Sequence, residues 1–185
     1  MYYLLKDDIR TVGRWHLSHP VDEHGEKVNP WQFTRSQWFE SQETIHFPVK
    51  PDGLALEFTL DAFLTPVVHG RVVHLFERMG IQEVQFISIQ VEGHSESYFI
   101  LNTLRVIRCI DDARCEEVQY WKPEDGEPEK VGEYRLVAGL RIDPAMVEGA
   151  RIFRPWGWPL ALLLSEELKQ ALEAEHITGT RFVEV

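Results

Sequence analysis

Apolar positions recur along this chain with two different periods. From Thr65 onward Val68, Val72, Leu75, Phe76 and Met79 fall at helical spacing. Thr65 can cap such a helix, Pro66 can fill its first position, where a missing N–H costs nothing, and Gly80 is a natural stop. Beyond Gly80 the period drops toward two. Val84–Val91 and residues 98–109 read as strands joined by the polar turn 93–97. The second carries Tyr98, Ile100, Leu104 and Val106 on one face, with Phe99, Leu101 and Ile107 on the other, the pattern of a central strand covered on both sides. Residues 115–121 and 134–142 read as further strands separated by the acidic segment 122–132. Ser165 ahead of Glu166 and Glu167 is a capped helix start, with Leu168 and Leu172 as its buried stripe and Ala171 beside them. That helix fades near His176, and residues 182–185 return as a short strand.

The first sixty-odd residues follow neither period. Trp15, Trp31 and Trp38 are scattered among Gly13, Pro20, Gly25, Pro30, Pro48, Pro51 and Gly53, and such punctuation breaks regular elements. Short strands are expected only at 2–5 and at 54–60, the latter with Leu54, Leu56, Phe58 and Leu60 on one face. A helix, a run of strands and a closing helix predict an α+β fold, a mostly antiparallel sheet packed against a few helices, rather than a βαβ repeat. Residues 1–64 are expected to be an irregular N-terminal region with short strands, and 65–185 an α+β core, together one compact unit.

Composition narrows the function classes. The 185 residues carry 19 Lys and Arg against 30 Asp and Glu, a net charge of −11. So acidic a chain repels phosphate backbones, and neither nucleic acid nor membrane is expected as a partner. The longest apolar runs, 1–5 and 160–164, are five residues each. A membrane span needs about 20 and a secretory signal about 7–15, so a soluble, cytoplasmic protein is expected. Cys109 and Cys115 are not spaced as a metal or redox pair. They read as small apolar side chains at neighbouring strand ends, with one disulfide across a hairpin left open.

Searches for catalytic chemistry find little. His16, His19 and His24, with Asp22 and Glu23, offer zinc-compatible side chains, but Pro20 and Gly25 mark a surface loop and the spacing matches no familiar site. His69 and His74 lie about 140° apart around the expected helix and cannot easily chelate one ion. The pair His94-x-Glu96 lacks the downstream Cys-x-x-Cys of a deaminase. The serine elbow, phosphate loop and dinucleotide fingerprint are missing. Glu116 and Glu117 would suppress a Cys115 thiolate, and Asp111-Asp112 reads as a turn. No cofactor, metal or catalytic residue is therefore expected.

Charge is the informative feature. Nine acids face three bases between Asp111 and Glu133, a local charge of −6 within 23 residues. A solvated hairpin protected from edge aggregation would explain it. So would a surface that docks a basic partner, with Trp121 as a desolvated anchor. On that second reading the contact residues are Glu116, Glu117, Trp121, Glu124, Asp125, Glu127 and Glu129. The segment Arg154-Pro155-Trp156-Gly157-Trp158-Pro159 is the other unusual stretch, read as packing cover ahead of a partner-binding knob.

Five motifs, in order and spacing, carry a resemblance. They are Gly80-Ile81-x-x-Val84-Gln85-Phe86, Tyr98-x-Ile100-Leu101-Asn102 and Ile152-Phe153-Arg154, then Ser165-Glu166-x-Leu168-Lys169-x-Ala171-Leu172 and Thr178-Gly179-x-x-Phe182. Together they resemble the immunity proteins of bacterial polymorphic toxin systems, the family numbered eleven among them, over residues 65–182. The resemblance implies a non-catalytic cytoplasmic binder that inactivates a cognate toxin, and it carries over no catalytic residue. Two rivals remain: a small metal-dependent hydrolase built on His16, His19, Glu23 and His24, and a structural adaptor held through the tryptophan-rich segment.

Overall fold

The structure, a computed structural model, describes residues 1–40 and 43–185. Among these, strand covers 33% of the chain and helix 17%, so sheet dominates and helices are few. Five strands make the first sheet: β1 (Tyr2–Asp7), β7 (Val106–Ile107), β10 (Ile152–Pro155), β11 (Leu163–Ser165) and β12 (Thr180–Glu184). Their order is β12-β1-β11-β10-β7. The second sheet holds β2 (Ile45–Phe47), β3 (Phe58–Leu60), β4 (Pro66–His69), β5 (Val84–Val91) and β6 (Tyr98–Thr103) in the order β2-β5-β6-β4-β3. A separate ribbon pairs β8 (Glu117–Tyr120) with β9 (Tyr134–Ala138). Each large sheet is mixed, with one parallel pairing, β10 with β7 and β2 with β5. The other strand pairings among the described residues are antiparallel, as expected, but neither large sheet is purely so. Parallel partners need long crossovers, and these pairs join segments some forty residues apart that no local pattern links.

The helix expected from Thr65 begins later. Pro66–His69 is strand β4, paired on one side with β3 and on the other with β6, and α1 spans Gly70–Arg78. Val67 and Val68 are fully buried; β-branched side chains fit a covered, pleated surface better than a first helical turn. His69 then caps α1, its Nδ1 accepting from the Arg71 amide at 3.2 Å. The strand expected over 98–109 breaks after Thr103, because Val106 and Ile107 leave to pair with β10. The strand expected at 54–60 is reduced to Phe58–Leu60, Leu54 forming only a bridge to Arg14. The second helix, α2 (Glu166–Ala174), is capped as expected: Ser165 Oγ accepts from the Leu168 amide at 3.3 Å.

Alternation along β6 places its two faces in different cores. Leu101 joins Val72, Leu75 and Phe76 of α1, Leu168 and Leu172 of α2, and Ile152 and Leu164 of the first sheet in one cluster. Tyr98 and Ile100 pack instead with Trp15, Leu17 and Phe33, so the irregular N-terminal segment supplies the cover that the two-faced pattern demands. Trp15 is fully buried and donates from Nε1 to Thr59 Oγ1 at 2.8 Å. Phe153 and Leu163, adjacent in sequence to Ile152 and Leu164, face the opposite way into a third cluster with Cys109, Leu140 and Ile142.

The C-terminal strand is fastened by one tight approach. Gly179 has φ +85°, and a Cβ there would lie 2.1 Å from the Phe58 carbonyl oxygen, so only glycine fits. Beside it the Glu57 carboxylate accepts from the Thr178 amide at 2.9 Å and pairs with Arg71 at the start of α1.

Candidate interaction surface

The β8–β9 ribbon carries the acidic segment, and polar contacts shape it. Glu117 lies opposite Ala138 and Gln119 opposite Leu136, with a bulge before Tyr120 meets Tyr134. Both tyrosine hydroxyls donate to the Asp112 carboxylate, Tyr134 at 2.6 Å. The Tyr134 hydroxyl is pushed above its ordinary pKa by burial and by the hydrogen bond to Asp112. The expected Asp111-Asp112 turn thus anchors the ribbon base. At its far end Pro123–Asp125 and Pro128–Lys130 form two short 3-10 turns. Asp125 Oδ2 accepts from the Lys122 amide at 2.8 Å, and Oδ1 pairs with Arg135 at 2.7 Å. Glu127 pairs with Lys130 at 3.1 Å, which holds its carboxyl below the usual range.

These pairs divide the seven candidate contact residues. Glu116, Glu117, Glu124 and Glu129 are exposed and make no ion pair among the described residues. Asp125 and Glu127 are half-buried and already neutralised by Arg135 and Lys130. Trp121 is half-buried, with the Lys130 ammonium 5.1 Å and the Arg135 guanidinium 5.3 Å from its ring centroid. The segment is therefore acidic outward and basic toward Trp121.

On the Trp121 side lies a groove of about 710 Å³ that sequence reasoning did not anticipate. Trp31, Trp121, Trp156 and Trp158 line it, with Tyr134 and Arg135. Trp31 lies within the Asn29-capped turn Pro30–Phe33, so three distant segments meet here. The Arg154-to-Pro159 stretch forms one wall and is no protruding knob. Trp158 packs on the third core cluster, while the Arg108 guanidinium sits 3.4 Å over the Trp156 ring. Gly157, at φ +74°, lets the wall approach β9 closely enough for its carbonyl to accept from the Tyr134 amide at 3.1 Å.

The histidines go elsewhere. His19 stacks edge-on against Phe63 at 4.7 Å, His24 contacts Glu23 at 3.6 Å, and His16 is exposed. Among the described residues no three His, Cys, Asp or Glu side chains are grouped to hold a metal ion. Cys109 is buried, Cys115 is half-buried, and both are free thiols; burial pushes the Cys109 thiol up to about 12. Among the described residues no helix is long and apolar enough to cross a membrane.

The family model described as the immunity protein family (Imm11) matches residues 2–185. The chain belongs to the Imm11 immunity protein family. The match extends the motif resemblance, which began at residue 65, over the N-terminal segment as well. That segment contributes Trp15 and Phe33 to the core and β1 to the interior of the first sheet, so its lack of periodicity hid a structural role. No curated protein matches the chain.

Proposed function

We propose that this Imm11 chain is a non-catalytic, cytoplasmic immunity protein that binds the toxin of a polymorphic toxin system and blocks it stoichiometrically. It would do so by covering the toxin's active site or a surface the toxin needs. The observation that carries the reading is family membership across residues 2–185. The ribbon supplies contact chemistry that fits it: four exposed carboxylates with no ion pair among the described residues, Glu116, Glu117, Glu124 and Glu129, beside an aromatic anchor, Trp121. A basic toxin surface would be steered to such a patch, and complementary charge raises association rates more than final affinity. Asp125 and Glu127 contribute less, since their charge is spent within the ribbon.

The test begins with affinity-tagged protein expressed in its native bacterium and mass spectrometry of what co-purifies. A one-to-one partner bearing a toxin domain is the expected result. With that partner, reversing Glu116, Glu117, Glu124 and Glu129 to Lys should slow association by about tenfold or more and flatten its dependence on salt. An unchanged rate and salt slope would remove the ribbon from the contact.

A further inference from the structure

Four tryptophans border the groove, and the fold already holds their rings. The Arg108 guanidinium covers Trp156 at 3.4 Å, and Trp158 packs on the third core cluster. Phe63 meets Trp31 edge-on at 5.9 Å and leaves that indole 46% exposed. The hydrogen-bonding capacity of these walls is one-sided. The Trp15 indole N–H donates to Thr59, whereas those of Trp31, Trp121, Trp156 and Trp158 have no acceptor among the described residues. None of the three half-buried indole nitrogens, on Trp121, Trp156 and Trp158, is sealed from solvent. Acceptors on the same walls are spent. The carbonyls of Trp31, Trp121, Pro155, Gly157, Trp158 and Pro159 each accept an internal hydrogen bond, and the Tyr134 hydroxyl donates to Asp112.

A segment laid in this groove meets free donors and few free acceptors. An ordinary extended peptide would leave its own N–H groups without partners there. A proline-rich one has few N–H groups to satisfy, turns its carbonyls outward along a polyproline helix and stacks its rings on aromatic faces. A stiff segment on held rings also loses little conformational freedom. Charge sets the flanks. Lys130 and Arg135 are neutralised by Glu127 and Asp125, and Arg154 is 1% exposed. The other lining charges, without an ion pair among the described residues, are Arg35, Glu129 and Glu133, next to the exposed acids of the ribbon. A basic flank suits that balance. We propose that the groove receives a proline-rich segment of the bound toxin, its rings against the indoles, its carbonyls on their N–H groups and a flanking Lys or Arg beside Glu129 and Glu133. This rests on the toxin-binding reading above and deepens it. The groove shares Trp121 and Glu129 with the ribbon, so the ribbon sets how fast the toxin arrives and the groove how long it stays.

Full-length protein labelled with 15N is titrated with the capped peptide acetyl-Lys-Pro-Pro-Pro-Pro-Lys-amide and with its alanine counterpart, reading the tryptophan indole N–H signals. The proline peptide should shift the groove signals saturably, with the alanine peptide at least about tenfold weaker. Trp156→Phe keeps a ring and loses the N–H, so it should bind the proline peptide about 2–10-fold more weakly. Trp31→Ala, at an exposed site, should weaken binding about tenfold and melt cooperatively like the parent. Replacing both peptide lysines by glycine should cost about two- to fivefold; no loss removes the basic flank. Equal response to the two parent peptides, or none to either, overturns the inference whatever the variants do. So do shifts confined to Trp15 and Trp38, which lie outside the groove. With toxin captured by co-purification, Trp31→Ala should raise its dissociation rate about tenfold and leave the salt dependence of association unchanged. An unchanged dissociation rate overturns the assignment to the toxin while toxin binding stands. A protein that takes the proline peptide but captures no toxin defeats the toxin-binding reading and, with it, the toxin as the source of the segment.

Discussion

β6 and the β8–β9 ribbon use the same backbone hydrogen bonding and differ in what covers them. In β6 every residue but Phe99 is buried, with a separate core on each face. In β8 three of four residues are exposed, and the ribbon owes its position to Asp112, to the Asp125–Arg135 pair and to the wall that Gly157 brings against β9. Burial makes β6 a determinant of stability. Exposure leaves the ribbon free to carry charge that folding does not use, which is what an interaction surface requires.

The contrast can be broken most forcefully at the sheet. Ile100→Ala should cost about 2–5 kcal/mol, the lost transfer energy plus a cavity in a doubly covered strand, as measured by chemical denaturation. A loss below about 1 kcal/mol would mean that the N-terminal cover collapses into the space and is less rigid than its packing implies. Tyr134→Phe removes one of the two hydroxyls held by Asp112. It should cost about 1 kcal/mol and speed amide exchange in β8 and β9 without touching protection in β6; equal loosening of both would tie the ribbon to the core.

Glu57 sharpens the comparison on the packed side through pH. Burial raises its carboxyl, but the Thr178 amide, the Arg71 guanidinium and the Thr178 hydroxyl outweigh that and hold it below the ordinary range. Its stabilisation is therefore present above the ordinary carboxylate pKa and is lost as pH falls through the folded value. Glu57→Gln should be less stable than the parent at neutral pH, and the two should converge in acid. Parallel acid-denaturation curves would assign the linkage to another group. The smallest expected effect is on the ribbon. The four-lysine reversal at Glu116, Glu117, Glu124 and Glu129 should alter stability by no more than about 0.5 kcal/mol per site, while changing toxin association. A large loss of melting temperature would make the acidic face part of the fold.

Periodicity was legible wherever one element buried a regular stripe. It placed α2 with its Ser165 cap, β5, and both faces of β6 at Tyr98–Leu101. It misjudged β4, because Thr65-Pro66 is an acceptable helix start and only pairing with β3 and β6 makes Val67 and Val68 a strand. It overran β6 at Leu104, since the departure to β10 is a long-range event with no local signal. The acidic segment was visible by counting; which of its acids are already paired was not, because Arg135 lies ten residues from Asp125 and only the folded ribbon brings them together. The groove was hidden for the same reason. Trp31 read as scattered, Trp156 as packing cover and Trp121 as the anchor of an acidic surface, and only the fold gathers them around one groove. The signal that could have found it is the arginine in Arg154-Pro155-Trp156, a cation placed in a strand with no nearby acid.

By itself the sequence determined the local elements, the outward charge of the ribbon and, through its ordered motifs, the family. These depend on neighbours a few residues apart, where spacing and side-chain type suffice. Tertiary structure alone decided that the N-terminal segment completes the core, which carboxylates of the acidic segment are ion-paired, and that a buried arginine lines a tryptophan groove with no counter-charge among the described residues. Each is a question of which distant groups share a low-dielectric space, and linear spacing carries no record of that.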